Sequence, residues 1–197
     1  MEYLTSTLQN LPHLRLERLT VASLIAIAAV IALAPRAEAQ VKPFKITGGG
    51  IAAQGIPLVP GTPAPHWAVG QATELGNYYG EGQFQLLAFT GPTTATFSSA
   101  SDFVFVAANK DKLAFTYGDT TNGALQPGQV ELFYVGGGKF VAVFVAEFNP
   151  VIAKCTGRFA KVIGGSFIMV ATTEPFVLGA TDPVAYTWVG DGSIEFK

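Results

Sequence analysis

Apolar and polar residues alternate along most of the chain after residue 40, in a pattern that predicts β-strands. The clearest case is the stretch 102–117, in which two apolar runs flank a polar Asn-Lys-Asp-Lys tetrad. Successive side chains of a strand point to opposite faces. Phe103 and Phe105 therefore share one face of the first arm, and Leu113 and Phe115 share one face of the second. We predict a β-hairpin.

The opposite face of this hairpin is also mostly apolar. It carries Val104 and Val106 on the first arm and Ala114 on the second. A strand that is apolar on both faces is typical of a sheet covered on both sides. We expect one face to pack into the core of the domain and the other to contact a second subunit.

Further strands are predicted between breaks that contain glycine or proline and recur every 10 to 15 residues or so. They are residues 41–47, 68–75, 80–89, 93–98, 130–135, 139–148, 165–172, 185–189 and 193–196. The glycine triplet 48–50 is expected to end the first of them. Asp191-Gly192 predicts a two-residue hairpin turn between the last two, and the triplet 136–138 predicts a hairpin loop.

So many antiparallel strands in one domain must either form two packed sheets or close on themselves. Closure is favoured by residues 139–148, where Phe140, Ala142 and Phe144 alternate large and small along one face. Such alternation suits the inside of a small barrel. The other face carries valines and Glu147, and the pattern leaves open which face points inward. No amphipathic helix of ordinary length is predicted after residue 40.

The first 39 residues have the pattern of a secretory signal. An uncharged apolar stretch at 19–34 follows Arg15 and Arg18 and precedes Pro35 and the small residues around Ala39. We predict a signal helix and cleavage between Ala39 and Gln40, which would place the mature protein in the periplasm or outside the cell. An uncleaved membrane anchor is the alternative, although 16 apolar residues fall short of the ~20 that span a bilayer.

The remaining chain is predicted to form a strand and a crossing segment at 40–67, followed by one antiparallel domain at 68–197. Prolines at four positions of the stretch 55–65 favour an extended crossing or lid over a ladder-forming strand. Residues 40–197 carry nine Lys and Arg against eleven Asp and Glu. Without a basic surface, nucleic acid is not an expected partner. The small number of charges indicates either a surface rich in Thr, Ser, Gln and Gly or burial of part of the surface against another subunit.

Residues able to carry chemistry are few. His66 is the one histidine after residue 40, and we interpret it as a polar aromatic residue at a barrel mouth, in the crossing segment. Cys155 has no internal disulfide partner and is interpreted as a small buried hydrophobe, with a nucleophilic thiol as the alternative.

Glu147 and the tyrosines complete the candidate set. Glu147 ends an apolar strand, and we favour an outward, solvated position over an acid–base role, with Lys154 or Arg158 as partners. Tyr117 and four further tyrosines offer hydroxyls to a cavity, although strand aromatics ordinarily pack in the core. The catalytic candidates are thus Glu147, Tyr117 and Cys155, and neither a cofactor nor a metal is predicted.

Several short segments together carry a likeness to a known family. They are Ala72-Thr73-Glu74-Leu75-Gly76 with Gly82-Gln83-Phe84, residues 105–109 with 113–117, Thr156-Gly157-Arg158-Phe159-Ala160 before Gly164-Gly165-Ser166-Phe167, and residues 186–194. These segments resemble exported bacterial proteins of the allene oxide cyclase barrel-like group. The resemblance spans about residues 68–196. It implies a closed, eight-stranded, lipocalin-sized antiparallel β-barrel with a central cavity, and a trimer in the plant enzymes. No catalytic residue of those enzymes is matched by a local motif.

Three functions follow as expectations. The first is a secreted, cofactor-free barrel that binds a small apolar ligand or acts as a structural homo-oligomer, a dimer or trimer. The second is an isomerase or cyclase that acts on an oxidised lipid through the shape of its cavity. The third is an outer-membrane barrel, which the apolar character of both faces of 139–148 disfavours because such barrels have a polar lumen.

Overall fold

The computed structural model describes residues 38–197, and the predicted signal helix lies outside this range. The described residues form β-strands joined by turns and three short 3₁₀ helices, at Thr120–Asn122, Ile152–Lys154 and Gly157–Lys161. The strands are β1 (Gln40–Ala52), β2 (Ala64–Ala72), β3 (Gly76–Phe89), β4 (Thr94–Ala107), β5 (Lys112–Tyr117), β6 (Gly128–Gly136), β7 (Lys139–Pro150), β8 (Val162–Thr173), β9 (Phe176–Val177) and β10 (Val184–Phe196). Within residues 38–197, no helix has the length and apolar character needed to cross a bilayer.

The strands form one antiparallel sheet that closes into a ring of eight strand positions. Six positions follow the order β3, β2, β1, β10, β8, β7, and β4 pairs with β3 to complete the circle. The position between β7 and β4 is shared by two strands. β6 pairs with the first part of both neighbours, and β5 pairs with the last part of both. The expected closure of the sheet is confirmed, and β1 and the start of β2 belong to the same ring as residues 68–197.

The predicted hairpin is present as β4 and β5. Phe103 pairs with Phe115 and Phe105 with Leu113, and all four side chains are fully buried inside the ring. The first arm is longer than predicted, because β4 runs without interruption from Thr94. On the outer side, Ala114 is also fully buried. The short helices between β7 and β8 contact β5 there, so the chain itself covers part of the face that was expected to meet a second subunit.

Two expected breaks prove to be continuous strand. β1 runs through the glycine triplet 48–50, and β10 runs through Asp191-Gly192. Gly192 does not have the positive φ that the predicted turn requires. Instead it pairs with Phe44 of β1 on one side and Phe167 of β8 on the other. The prediction of a turn at Asp191-Gly192 was therefore wrong, because neighbouring strands on both sides hold the residue in the ladder.

Aromatic side chains fill the interior of the ring. On β7, the face with Phe144 and Phe148 points inward, and the valines and Glu147 lie on the other face. The Phe148 ring stacks on Phe167 and on Tyr117, with 4.7 Å between centroids in both cases. The sequence left open which face of β7 points inward, and in the structure it is the aromatic face that packs in the core.

Glycines on the inner wall make room for these rings. Gly50 of β1 lies where a Cβ atom would stand 2.1 Å from the carbonyl oxygen of Trp67 and 2.5 Å from the hydroxyl oxygen of Tyr186. Gly48 has the same relation to Tyr78 and Trp188, with separations of 2.3 and 2.7 Å. The triplet therefore lets large side chains approach the backbone of β1 closely.

The connections at the two ends of the ring differ. At one end, Arg158 between β7 and β8 donates from Nη2 to the Leu75 carbonyl at 3.2 Å and lies 3.8 Å from the carboxylate of Asp111. The neighbouring Phe159 is fully buried. At the other end, the proline-rich segment between β1 and β2 buries Ile56. This second end leads to the candidate site.

We expect Gly50→Ala to lower the free energy of unfolding by about 1–3 kcal/mol, since its Cβ has no space without a backbone shift. Gly49→Ala is the matched control, because its Cβ would meet no atom closer than 3.2 Å. Urea unfolding of the two variants measures the difference. Equal losses would contradict the packing role of Gly50.

Candidate functional site

His66 is the centre of a buried polar cluster inside the ring. It was expected in a crossing segment, but β2 already begins at Ala64, and its alternation turns Ala64, His66 and Ala68 inward. The imidazole is only 8% exposed and lies 4.8 Å from the ring of Phe103 between centroids. The prediction of a loop position at the mouth is therefore wrong.

Both nitrogens of His66 meet tyrosine hydroxyls. Nδ1 lies 2.9 Å from the hydroxyl oxygen of Tyr186, and Nε2 lies 2.8 Å from that of Tyr117. The Tyr186 hydroxyl donates to the carbonyl oxygen of Trp67 at 3.1 Å. Because a hydroxyl has one hydrogen, the Tyr186 oxygen must accept from His66 Nδ1–H.

The direction of the whole chain of hydrogen bonds follows. With Nδ1 protonated, a neutral imidazole has a lone pair on Nε2, which accepts from the Tyr117 hydroxyl. The order is Tyr117 O–H to His66, His66 N–H to Tyr186, and Tyr186 O–H to the backbone. Every nitrogen of His66 is thus satisfied without a charge.

Burial suppresses the ionisation of these groups. It lowers the pKa of His66 from 6.5 to about 3. It also raises the pKa of Tyr117 well above its usual value of 10, with a smaller contribution from Tyr186, and it raises the pKa of Tyr186 in the same way. Near neutral pH the imidazole is therefore a poor base and the phenols are poor acids. The cluster is suited to orienting hydroxyl groups and poorly suited to moving protons.

A small cavity adjoins the cluster. It has a volume of about 50 Å³. Its walls come from the proline-rich segment and from eight strands, and they are Ala52, Ile56, His66, Phe84, Phe97, Tyr117, Phe144, Met169, Ala171, Thr173, Tyr186 and Trp188. None of these side chains is charged, since His66 is neutral. Ile56 links the segment expected to act as a lid to this cavity.

A second buried polar group lies further along the interior. Trp188 donates from Nε1 to the Tyr78 hydroxyl at 2.7 Å, and Tyr78 donates to the Thr47 carbonyl at 3.0 Å. Burial raises the pKa of Tyr78 to about 12. Trp188 thereby joins the second group to the cavity, although Tyr78 does not line it.

The three predicted catalytic candidates lie in different places. Tyr117 is at the cavity, 2% exposed. Glu147 points to the outer side of β7, where its Oε2 accepts from the Leu125 amide at 3.0 Å. Cys155 lies between two short helices, where its thiol donates to the Val151 carbonyl at 3.5 Å and burial raises its pKa. The structure brings none of the three together.

The partners suggested for Glu147 are engaged elsewhere. Lys154 forms an ion pair with Asp102, and Arg158 forms one with Asp111. In the part of the chain that the structure describes, no three His, Cys, Asp or Glu side chains come together as a metal site.

Sequence reasoning did not identify the partners of His66. Tyr186 and Trp188 alternate on β10 and so share its inner face, a signal that was present in the sequence. The contact between Tyr186 and His66 could not be predicted from the sequence, because 120 residues separate the two. Thr173 carried no local signal.

No protein family, characterised protein or solved structure matches the chain. The resemblance to the allene oxide cyclase-like group therefore stays a prediction.

We predict that His66 destabilises the fold in acid. Its pKa in the folded state is about 3, whereas the unfolded chain retains the ordinary value of 6.5. Between these limits the unfolded state binds more protons, so the free energy of unfolding falls as pH decreases, by about 1.4 kcal/mol per pH unit. Above pH 7 this contribution is constant.

Denaturant unfolding between pH 4 and 8, compared with His66→Gln, isolates this effect from that of the carboxylates. The wild type should lose stability more steeply than the variant below about pH 6.5. Parallel profiles would contradict a buried neutral imidazole.

The hydrogen-bond directions also predict the tautomer. Nitrogen-15 NMR of His66 should show a protonated Nδ1 and an unprotonated Nε2 at neutral pH. Tyr186→Phe removes the acceptor of Nδ1–H and should shift the tautomer or destabilise the fold, whereas Tyr134→Phe, at an exposed position, should do neither. A protonated Nε2 in the wild type would overturn the assigned directions.

Proposed function

We propose that this protein is an exported, cofactor-free β-barrel of the allene oxide cyclase-like type that acts as a structural homo-oligomer. The observation that carries the proposal is an apolar band on the outer face of the ring. The band crosses four adjacent strands and consists of Phe133, Val141, Val143, Val145, Ile168, Val170 and Val189.

The registers of the strands make this band continuous. Val145 of β7 pairs with Val170 of β8, which pairs with Val189 of β10. The three side chains point outward and are 39%, 36% and 58% exposed. An apolar row on neighbouring strands typically marks an interaction surface.

A second copy of the chain is the occupant that suits this band. The band residues themselves are uncharged, so two copies can bring them together without the desolvation of an ion. Acidic residues border the band: in the strand registers Glu131 pairs with Val143 and Glu147 with Ile168, and Asp191 lies 3.7 Å from Lys45. An apolar centre with a polar rim is the usual anatomy of an interface between subunits.

The filled interior supports a scaffold over an enzyme. Sites for lipid-sized molecules have volumes of about 300–1,000 Å³, whereas the cavity beside His66 holds about 50 Å³. An isomerase for an oxidised lipid would need the aromatic core to open. The same core disfavours an outer-membrane barrel, whose lumen is polar. Release by osmotic shock without detergent is the outcome that we expect for the exported protein.

Binding of a small ligand is a second candidate function, favoured by the cavity itself. An uncharged, mostly apolar space that touches buried hydroxyls is the usual form of a small-molecule site. Its volume limits a ligand to a few heavy atoms.

We expect native mass spectrometry and sedimentation of the exported protein to show a dimer or trimer. Val170→Lys places a charge at the centre of the band and should weaken assembly by at least about tenfold, because the ammonium must be desolvated. Gln83→Lys adds the same charge on the outer face of β3, four strand positions from β8 around the ring, and should leave assembly unchanged.

A wild-type monomer at micromolar concentration would contradict the oligomer. An equal loss of assembly in both lysine variants would place the interface elsewhere on the outer face.

A further inference from the structure

We propose that the cavity beside His66 binds one small hydroxyl-bearing molecule, an alcohol of about one to three carbons, between Thr173 and Tyr117. The inference rests on the second candidate function and specifies the chemistry of its ligand. It follows from a hydrogen-bond donor and an acceptor that both line the cavity and that the described protein groups leave unused.

Thr173 supplies the donor. It lies at the end of β8, 7% exposed, and its Oγ1 accepts from the amide of Ala142 at 2.9 Å. The backbone pairing between β7 and β8 ends at Val143 and Thr172. The Thr173 side chain therefore serves as the acceptor for the amide of Ala142, the next residue of β7. The hydroxyl hydrogen itself has no acceptor within residues 38–197. A buried hydroxyl without an acceptor is costly, which favours a bound partner.

Tyr117 supplies the acceptor. Its single hydrogen is directed to His66 Nε2, which leaves the oxygen lone pairs available. No donor within the described residues reaches this oxygen apart from that shared contact. Because His66 is held as the acceptor by its bond to Tyr186, Tyr117 cannot turn its hydrogen toward a ligand without leaving His66 unsatisfied.

An alcohol matches both requirements at once. Its oxygen accepts from Thr173, its hydrogen is donated to Tyr117, and its alkyl group contacts apolar walls such as Phe97, Phe144 and Met169. Ions are unsuitable, since no charged side chain lines the cavity to offset their desolvation.

The volume sets the length of the ligand. A cavity needs about 10–15 Å³ of such volume to hold one water molecule, so the cavity of about 50 Å³ holds about three to five water-sized groups and accommodates a molecule of up to about four heavy atoms. Longer alcohols should be excluded unless Ile56 moves.

The test compares ethanol with xenon on methyl-labelled protein by NMR titration. Xenon occupies small apolar cavities without hydrogen bonds and so reports whether the space is accessible. In the wild type, both probes should give saturable shifts at the methyl groups of Ile56 and Met169, two residues that line the cavity.

Variants separate the hydroxyl contacts from the space. Thr173→Val and Tyr117→Phe should each weaken ethanol binding by about fivefold or more, the effect of one lost hydrogen bond, while xenon affinity stays within about twofold. Thr173→Ser keeps the hydroxyl and should retain ethanol binding. Tyr134→Phe removes an exposed hydroxyl that does not line the cavity and should leave both affinities unchanged. Tyr117→Phe and Thr173→Ser keep the test decisive if Thr173→Val fails to fold for want of an acceptor for Ala142.

The possible failures are distinguishable. If xenon does not bind the wild type, the cavity is closed to ligands, and the second candidate function fails together with this inference. If xenon binds but ethanol does not, the cavity takes apolar ligands and the alcohol proposal is wrong. If ethanol binds Tyr117→Phe as tightly as the wild type, the proposed hydrogen bond to Tyr117 is not made and the proposed binding mode is wrong. None of these results bears on the oligomer.

Discussion

Close contact between aromatic rings and glycine backbone is the constraint on which the rest of this structure depends. The ring of strands is narrow, and its interior holds fully buried phenylalanines from several strands together with Trp188. Such side chains enter only where the facing wall has no Cβ, as at Gly48 and Gly50 opposite Tyr78 and Tyr186. Protein interiors are packed at nearly crystalline density. The positions of the glycines therefore decide which aromatic side chains fit inside the closed sheet.

The same close packing explains the chemistry of the interior. His66 lies among aromatic rings, where burial disfavours a charge and keeps it neutral, and two tyrosine hydroxyls satisfy its nitrogens. A buried polar group is tolerated when all its hydrogen bonds are made, and such a network favours one arrangement of the core. The cluster thus acts first as a positioning device. Tyr117 of this cluster and Thr173 of β8 each have hydrogen-bonding capacity left unused, and both border the cavity.

The interior and the outer face of the closed sheet consequently have separate roles. The interior is largely filled, and the small space that is left can distinguish a ligand only by size and by two hydrogen bonds. The outer face carries the apolar band over β6, β7, β8 and β10, which is the part of the surface best suited to another copy of the chain. Part of the outer side of β5 is already covered by the connection between β7 and β8. The predicted interface thereby moves from the hairpin to the valine face of β7.

Local alternation by itself determined the all-β class and the hairpin of β4 and β5, because both depend on side chains two residues apart. It favoured closure of the sheet over two packed sheets, and it left open which face of the hairpin points inward. It did not determine the course of β1 and β10. Glycine triplets and Asp-Gly ordinarily mark turns, and only neighbours on both sides keep them in strands here. The site required the tertiary structure as well. Tyr117 and Tyr186 are 51 and 120 residues from His66, and closure of the ring alone brings their hydroxyls to its two nitrogens.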